Sequence, residues 1–349
     1  MTERNLSPPV RFIIVGAAIV IILAGIRAAT PILGPLLLAV FLAMITTPLL
    51  RWLVRHGVPP LAALGVILTG LIAGFLLVSA FVGAALVQIV NALPTYQEQL
   101  NIQLALLELF LADYGVEPAS IQIFDLIDRG MLIQQLAAFA GSFGGALFDA
   151  ILIVIATGFL LLEASHFTAD IERRFGTDSR MLERIRQSSR LLIDYMIVRT
   201  KVNLITGAGV AALLYVLGVD FALLWGLLTF ILSYIPYIGL ALAALPATVL
   251  AWLELGLPGV VIVLVGVTIV NALAENVLFP QMAGQGLDLS PFVVLFSVVF
   301  WGFILGGAGV FLAVPLTLAV KMVLEVWEET RWLAALMSSG NSKERASQN

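Results

Sequence analysis

Long apolar runs separated by short polar stretches dominate this chain of 349 residues. A helix that crosses the hydrocarbon core of a bilayer needs about 20 apolar residues, and most of the runs reach or approach that length. The pattern therefore predicts an all-α polytopic membrane protein with about eight transmembrane helices. The runs cover residues 10–26, 31–50, 61–90, 143–162, 202–219, 221–235, 240–253, 259–274 and 291–320.

Helix-breaking residues interrupt the apolar runs of the C-terminal half. The last run, 291–320, contains several glycines and Pro315. It favours two short helices that form a hairpin over one bent helix. Broken helices at membrane depth are tolerated where they line a cavity or are buried in protein, and transporters build binding sites from them. The breaks predict a binding region, and their key residues are Pro236, Tyr237, Gly239, Pro280, Gly302, Gly306 and Gly309.

Two hydrophilic stretches have opposite charge. Residues 91–142 carry six acids and one arginine, with apolar residues at helical spacing, and predict helices on the outer surface. Residues 165–201 carry eight basic residues and predict a basic amphipathic segment at the inner surface. Because Lys and Arg collect on the cytoplasmic side, this contrast places the N-terminus in the cytoplasm. A hairpin at 291–320 also places the C-terminus there.

The runs and the hydrophilic stretches together predict six segments. Residues 1–90 hold the first three transmembrane helices, and residues 91–142 the extracytoplasmic helical segment. Residues 143–163 form the fourth transmembrane helix, before the cytoplasmic basic segment at 164–201. The C-terminal transmembrane core covers 202–327, and 328–349 form a cytoplasmic tail.

Composition narrows the possible functions. Apolar residues make up 61% of the chain and charged residues 11%, against about 45–50% and 25% in soluble domains. This balance excludes a nucleic-acid-binding protein, which needs a basic stripe. Cysteine is absent, and none of the three lysines follows a glycine as a phosphate-binding loop requires. The chain also has no HExxH pattern. We therefore predict no catalytic residues, no cofactor and no metal site, and a protein that is not an enzyme.

Glu275 is the most informative charge. No Lys or Arg occurs between Lys201 and Lys321, and Glu275 directly follows an apolar run. Asn271 lies one helical turn earlier, so the two side chains share a face. A carboxylate inside a bilayer costs a few kcal/mol, on the order of 3, and generally faces a cavity or a partner. We expect Glu275, Asn271 and Asn276 to bind an ion or a solute, the alternative being a carboxylate at a helix end.

The C-terminal half resembles the AI-2E family of bacterial transporters. The similarity rests on Pro236-Tyr237-Ile238-Gly239, Glu275-Asn276, Pro280 and Gly284, Leu289 with Pro291, the later glycines, and Leu312-Ala313-Val314-Pro315. The N-terminal half agrees more loosely. The resemblance implies a multi-pass protein of the bacterial inner membrane that forms a homo-oligomer. Some family members are linked to export of the quorum-sensing signal autoinducer-2, and others to sodium/proton antiport.

Three functions are compatible with these patterns. The leading hypothesis is a secondary transporter or exporter of a small polar solute. The second is a sodium/proton antiporter in which Glu275 takes up and releases H⁺ in exchange for Na⁺. The third is a membrane scaffold without transport. The partners expected are the lipid bilayer, a small polar solute, and H⁺ or Na⁺ if transport is ion-coupled.

Overall fold

The computed structural model describes residues 8–113, 149–163, 180–283 and 289–338. Of these residues, 91% are helical and none lies in a strand, which confirms the all-α prediction. A π-helical turn, Ala274–Leu278, follows α7. The helices are α1 (Pro8–Ala28), α2 (Thr30–Arg55), α3 (Pro60–Asp113), α4 (149–163), α5 (Arg180–Leu217), α6 (Ala222–Leu232), α7 (Gly239–Leu273), α8 (Phe279–Ala283), α9 (Pro291–Phe311), α10 (Ala313–Val326) and α11 (Arg331–Leu336).

Within the described residues, five helical stretches are long and apolar enough to cross a membrane. By length and composition they are Thr30–Arg55, Pro60–Leu106, Ser189–Leu217, Gly239–Met282 and Pro291–Phe311, and each of the last two contains a chain reversal described below. The polytopic class is thus confirmed, whereas the count of eight is not. The span predicted at 221–235 is wrong as a complete crossing. Helix α6 has 11 residues and is about 17 Å long, against a hydrocarbon core of about 30 Å.

Two predicted boundaries fall inside continuous helices. Helix α3 runs through residue 91 to Asp113 without a break, so residues 91–113 extend the third span and do not form a separate surface helix. Helix α5 likewise runs through residue 201. In both helices the side chains change between apolar and polar at the predicted boundary, but the helical backbone continues. Residues 114–142 of the acidic segment and 164–179 of the basic segment lie outside the described residues.

The predicted tail begins as ordered structure. Helix α11 occupies Arg331–Leu336, and the backbone N–H of Ser290 donates a hydrogen bond to the carbonyl of Met337 at 2.9 Å. This contact ties the start of the tail to the residue that precedes α9. Residues 339–349 lie outside the described residues.

The chain divides into two compact units. The terminal unit comprises Met1–Ile45, Phe159–Leu192 and Asp288–Asn349, and the central unit Thr46–Gly158 and Ile193–Leu287. The core of the central unit is built by α5, α6 and α7, with Leu214, Trp225 and Val263 among its buried residues. Helices α5 and α6 approach so closely that a Cβ on Gly207 would lie 2.6 Å from the carbonyl oxygen of Gly226.

Helix α7 folds back on itself at Gly256, whose φ of 72° and ψ of −164° are not helical. A Cβ on Gly259 would lie 2.5 Å from the carbonyl oxygen of Ala251. In a continuous helix, residues eight apart are separated by about 12 Å, so this contact requires a reversal of the chain. The two limbs correspond to the spans predicted at 240–253 and 259–274.

The run at 291–320 folds back in the same manner. Gly306 has a φ of 60° and a ψ of −142°, and a Cβ on Gly309 would overlap the carbonyl oxygen of Trp301. The indole N–H of Trp301 also donates to Thr317 Oγ1 at 3.0 Å. Along one helix these residues would lie about 24 Å apart. The hairpin prediction is therefore confirmed, and the bent-helix alternative is wrong.

The second fold-back predicts that position 309 must be a glycine for the protein to keep its stability. Replacing Gly309 by Ala forces a methyl group onto the Trp301 carbonyl, and we expect a loss of about 2 kcal/mol or more in the free energy of unfolding. Gly307→Ala is the matched control, since a Cβ there meets nothing within 4 Å. Chemical unfolding in detergent micelles measures both. Equal stability of the two variants would contradict the fold-back.

Candidate functional site

Glu275 lies in the π-helical turn that follows α7. π-Helical turns are rare and occur frequently at functional sites. The side chain of Glu275 is 35% exposed, and its Oε1 lies 2.7 Å from Nη1 of Arg199. The carboxylate predicted to face a partner therefore has one, a cation on α5.

Arg199 joins three elements of the central unit. Its side chain is 10% exposed, its Nη1 binds Glu275, and its Nη2 donates to the backbone carbonyl of Ser233 at the end of α6. The guanidinium also lies 5.8 Å from the centre of the Phe279 ring. Hydrogen bonds between ionised partners are roughly twice as strong as neutral ones. Arg199 is thus the cross-link between α5, the end of α6 and the turn after α7.

The turn between α6 and α7 contains three predicted site residues. Tyr237 has a φ of 64°, and Pro236 is half-buried. Gly239 begins α7 where any Cβ would overlap the carbonyl of Leu232, so only glycine fits. Tyr234, in the same turn, donates from its hydroxyl to Thr200 Oγ1 at 2.7 Å. The turn is therefore fixed to α5 at two adjacent positions, Arg199 and Thr200.

Arg199 consequently brings together two groups of predicted residues. Glu275 lies on one side of its guanidinium, and the turn with Pro236, Tyr237 and Gly239 begins at the Ser233 carbonyl on the other.

Apolar side chains pack next to this ion pair. Val198, Val202 and Ala274 are buried with Phe279 packed against them, and Tyr195 makes an edge contact with that ring at 6.3 Å.

The other predicted residues are placed separately. Asn271 is half-buried in the last turn of α7, whereas Asn276 and Pro280 are exposed. Gly302, Gly306 and Gly309 belong to the fold-back of the terminal unit. Gly284 lies outside the described residues. Of the three polar candidates Glu275, Asn271 and Asn276, it is Glu275 that pairs with Arg199.

Sequence reasoning missed Arg199 as part of the site. The charge pattern groups Arg199 with the basic residues that set the topology. The sequence nevertheless held a sign that Arg199 could pair with Glu275. Residues 202–320 contain no Lys or Arg, so a charged partner for Glu275 had to come from either end of that stretch. Arg199 and Lys201 are the last two cations before it.

A chain whose described residues are mostly helical and include five long apolar stretches is a polytopic membrane protein. The sequence model described as AI-2E family transporter matches residues 17–329. The chain therefore belongs to the AI-2E transporter family. The AI-2 transport protein TqsA of Escherichia coli strain K12 is 33% identical over 333 residues, covering 95% of this chain and 97% of the relative.

Two further relatives match over similar lengths. The Escherichia coli K12 protein YhhT is 29% identical over 94% of each chain. A Haemophilus influenzae protein is 30% identical over 92% of this chain and 94% of its own. The family resemblance seen in the C-terminal half thus extends through nearly the whole chain.

The ion pair predicts a specific stability pattern. Arg199→Met leaves the Glu275 carboxylate without its cation, and we expect the free energy of unfolding to fall by about 2 kcal/mol, less than for a fully buried pair. Arg190→Met is the matched control, because Arg190 is exposed on the same helix and such changes usually cost under about 0.5 kcal/mol. Denaturation in detergent micelles measures both.

The double variant Arg199→Met/Glu275→Met tests the coupling. Removing both charges removes the uncompensated one, so we expect the double variant to be more stable than Arg199→Met alone. A double variant that is less stable by the sum of the single effects would show that the two side chains do not interact.

Proposed function

We propose that this transporter exports a small polar solute across the bacterial inner membrane, with autoinducer-2 as the first candidate. The observation that carries the proposal is the ion pair of Arg199 and Glu275, which adjoins interrupted helices in a mainly apolar core. The name of the 33% identical relative, an AI-2 transport protein, supports the choice of first candidate.

The ion pair favours a polar solute over a lone cation. The carboxylate of Glu275 already faces the fixed charge of Arg199 at 2.7 Å, so Na⁺ or H⁺ would have to compete with a guanidinium. A guanidinium has five N–H donors in a planar fork, and the bonds to Glu275 and Ser233 use two of them. The remaining donors suit the hydroxyl or carbonyl oxygens of a solute.

The predicted residues take distinct roles in this proposal. Glu275, Asn271 and Asn276 contribute polar side chains, and the breaks at Pro236–Gly239 and Pro280 supply backbone groups. Gly302, Gly306 and Gly309 make the second fold-back, which supplies further broken-helix backbone in this proposal. Transport is driven by an ion gradient or by the gradient of the solute, without a cofactor or enzymatic step.

The membrane orientation follows from charge. The basic residues of 165–201 support a cytoplasmic position for that segment, and the acidic residues of 91–142 an outer one. Both termini then lie in the cytoplasm. In keeping with the family resemblance, we propose that the protein works as a homo-oligomer.

The test is transport of autoinducer-2 by the purified protein in liposomes. We expect Glu275→Gln to reduce the transport rate at least about 100-fold, because a neutral amide cannot retain the ion pair that organises the site. Its abundance in the membrane should match the wild type, because the amide oxygen of glutamine still accepts a hydrogen bond from Arg199. Glu98→Gln is the control, since Glu98 is exposed on α3, and it should transport normally. Unchanged transport by Glu275→Gln would remove Glu275 from the mechanism.

The same liposomes separate the competing functions. A sodium/proton antiporter acidifies or alkalises the lumen when Na⁺ is added, and a pH-sensitive dye reports this change directly. We expect no Na⁺-dependent pH change and a measurable solute flux. A scaffold without transport would show neither signal.

A further inference from the structure

Asn203 is a buried amide that the ion-pair site does not explain. It lies on α5 and is 1% exposed. Within the described part of the chain, neither its Oδ1 nor its Nδ2 has a hydrogen-bond partner. The hydroxyl of Ser233, a residue that is 7% exposed, is also buried without a partner there.

Both residues adjoin Arg199. Asn203 follows Arg199 by four positions, so the two side chains share one face of α5. The Ser233 carbonyl accepts a hydrogen bond from Arg199. Helices α5 and α6 run antiparallel, because Arg199 meets Ser233 while Gly207 meets Gly226 and Phe230. Asn203 lies midway between these two contacts, and therefore faces the interface of α5 and α6.

Exposure decreases stepwise from Glu275 toward Asn203. The Glu275 side chain is 35% exposed and that of Arg199 10%, whereas Asn203 is 1% exposed. Of these three residues, Asn203 is therefore the most deeply buried.

Neighbouring polar residues show that this lack of partners is unusual. Thr206 is 2% exposed and Thr229 is fully buried. The Thr206 hydroxyl donates to the Val202 carbonyl at 2.9 Å, and that of Thr229 to the Trp225 carbonyl at 2.8 Å. Each of these hydroxyls is satisfied within its own helix. The Asn203 side chain makes no such hydrogen bond within its own helix. Its burial is therefore destabilising unless a bound molecule forms hydrogen bonds with it.

We propose that Asn203 and Ser233 form a subsite for hydroxyl or carbonyl groups of the transported solute. This inference rests on the proposed function. An amide and a hydroxyl each offer a donor and an acceptor, which is the pattern that complements a neutral, hydroxyl-bearing molecule. Arg199 binds the Ser233 carbonyl next to this subsite, and in this proposal the solute reaches it when the bonds of Arg199 to Ser233 and Glu275 open.

The experiment compares two variants with two matched controls in the full-length protein. Asn203→Leu and Ser233→Ala remove the unpaired groups. Thr206→Val and Thr229→Val remove buried hydroxyls that are paired within their helices. The probes are autoinducer-2 and a panel of neutral polyhydroxylated compounds of four to six carbons. Transport in liposomes gives KM and kcat, and thermal unfolding without solute gives the midpoint Tm.

We expect Asn203→Leu to raise the KM of the best probe about tenfold or more, as for loss of a buried hydrogen bond. Its kcat should change less than about threefold, and its Tm should equal or exceed that of the wild type, because an unpaired buried group is removed. Ser233→Ala, a smaller change in packing, should raise KM in the same direction. The controls should keep the wild-type KM.

The outcomes separate the inference from the proposed function. If the wild type transports a probe and Asn203→Leu has the same KM, ordered water alone satisfies the amide, and the inference is wrong while the proposed function stands. A lowered Tm with unchanged KM shows a purely structural role for Asn203 and likewise contradicts the inference alone. If the wild type transports no member of the panel, both are wrong.

Discussion

The pairing of Arg199 with Glu275 is the interaction on which the polar centre of the central unit depends. A charge inside packed apolar helices is strongly disfavoured unless an opposite charge and hydrogen bonds compensate it. Arg199 meets this condition with two acceptors from different elements, the carboxylate after α7 and the carbonyl at the end of α6. One side chain therefore links three elements.

The apolar pattern predicted the helical class and several limbs, because helix formation in an apolar run is a local property. The fold-back at Gly306 was also visible as an interruption, since glycine permits backbone angles that other residues avoid. The one at Gly256 falls in the gap between the predicted runs 240–253 and 259–274. Polar boundaries were less informative. The segment after residue 90 continues α3 because a helix does not end where its side chains become hydrophilic; it ends where backbone geometry changes.

The site was only half predictable. Glu275 was found because a lone acid in a long uncharged stretch is conspicuous. Arg199 lies 76 positions earlier in the chain, and a pairing at that separation depends on how helices pack. The Asn203 amide and the Ser233 hydroxyl gave no signal as binding groups, since an amide and a hydroxyl are common in helices. What distinguishes them is the lack of a partner after folding, which only the folded structure reveals.

The two fold-backs have a consequence for how this architecture is encoded. In each, a glycine packs against a backbone carbonyl and a leucine Cβ. Gly259 lies against Ala251 and Leu255, and Gly309 lies against Trp301 and Leu305. Residues 251–259 and 301–309 share just a leucine and two glycines at equivalent positions. Each reversal is thus specified by one leucine and two glycines at the same spacing, so the same tight turn is built within otherwise different sequences.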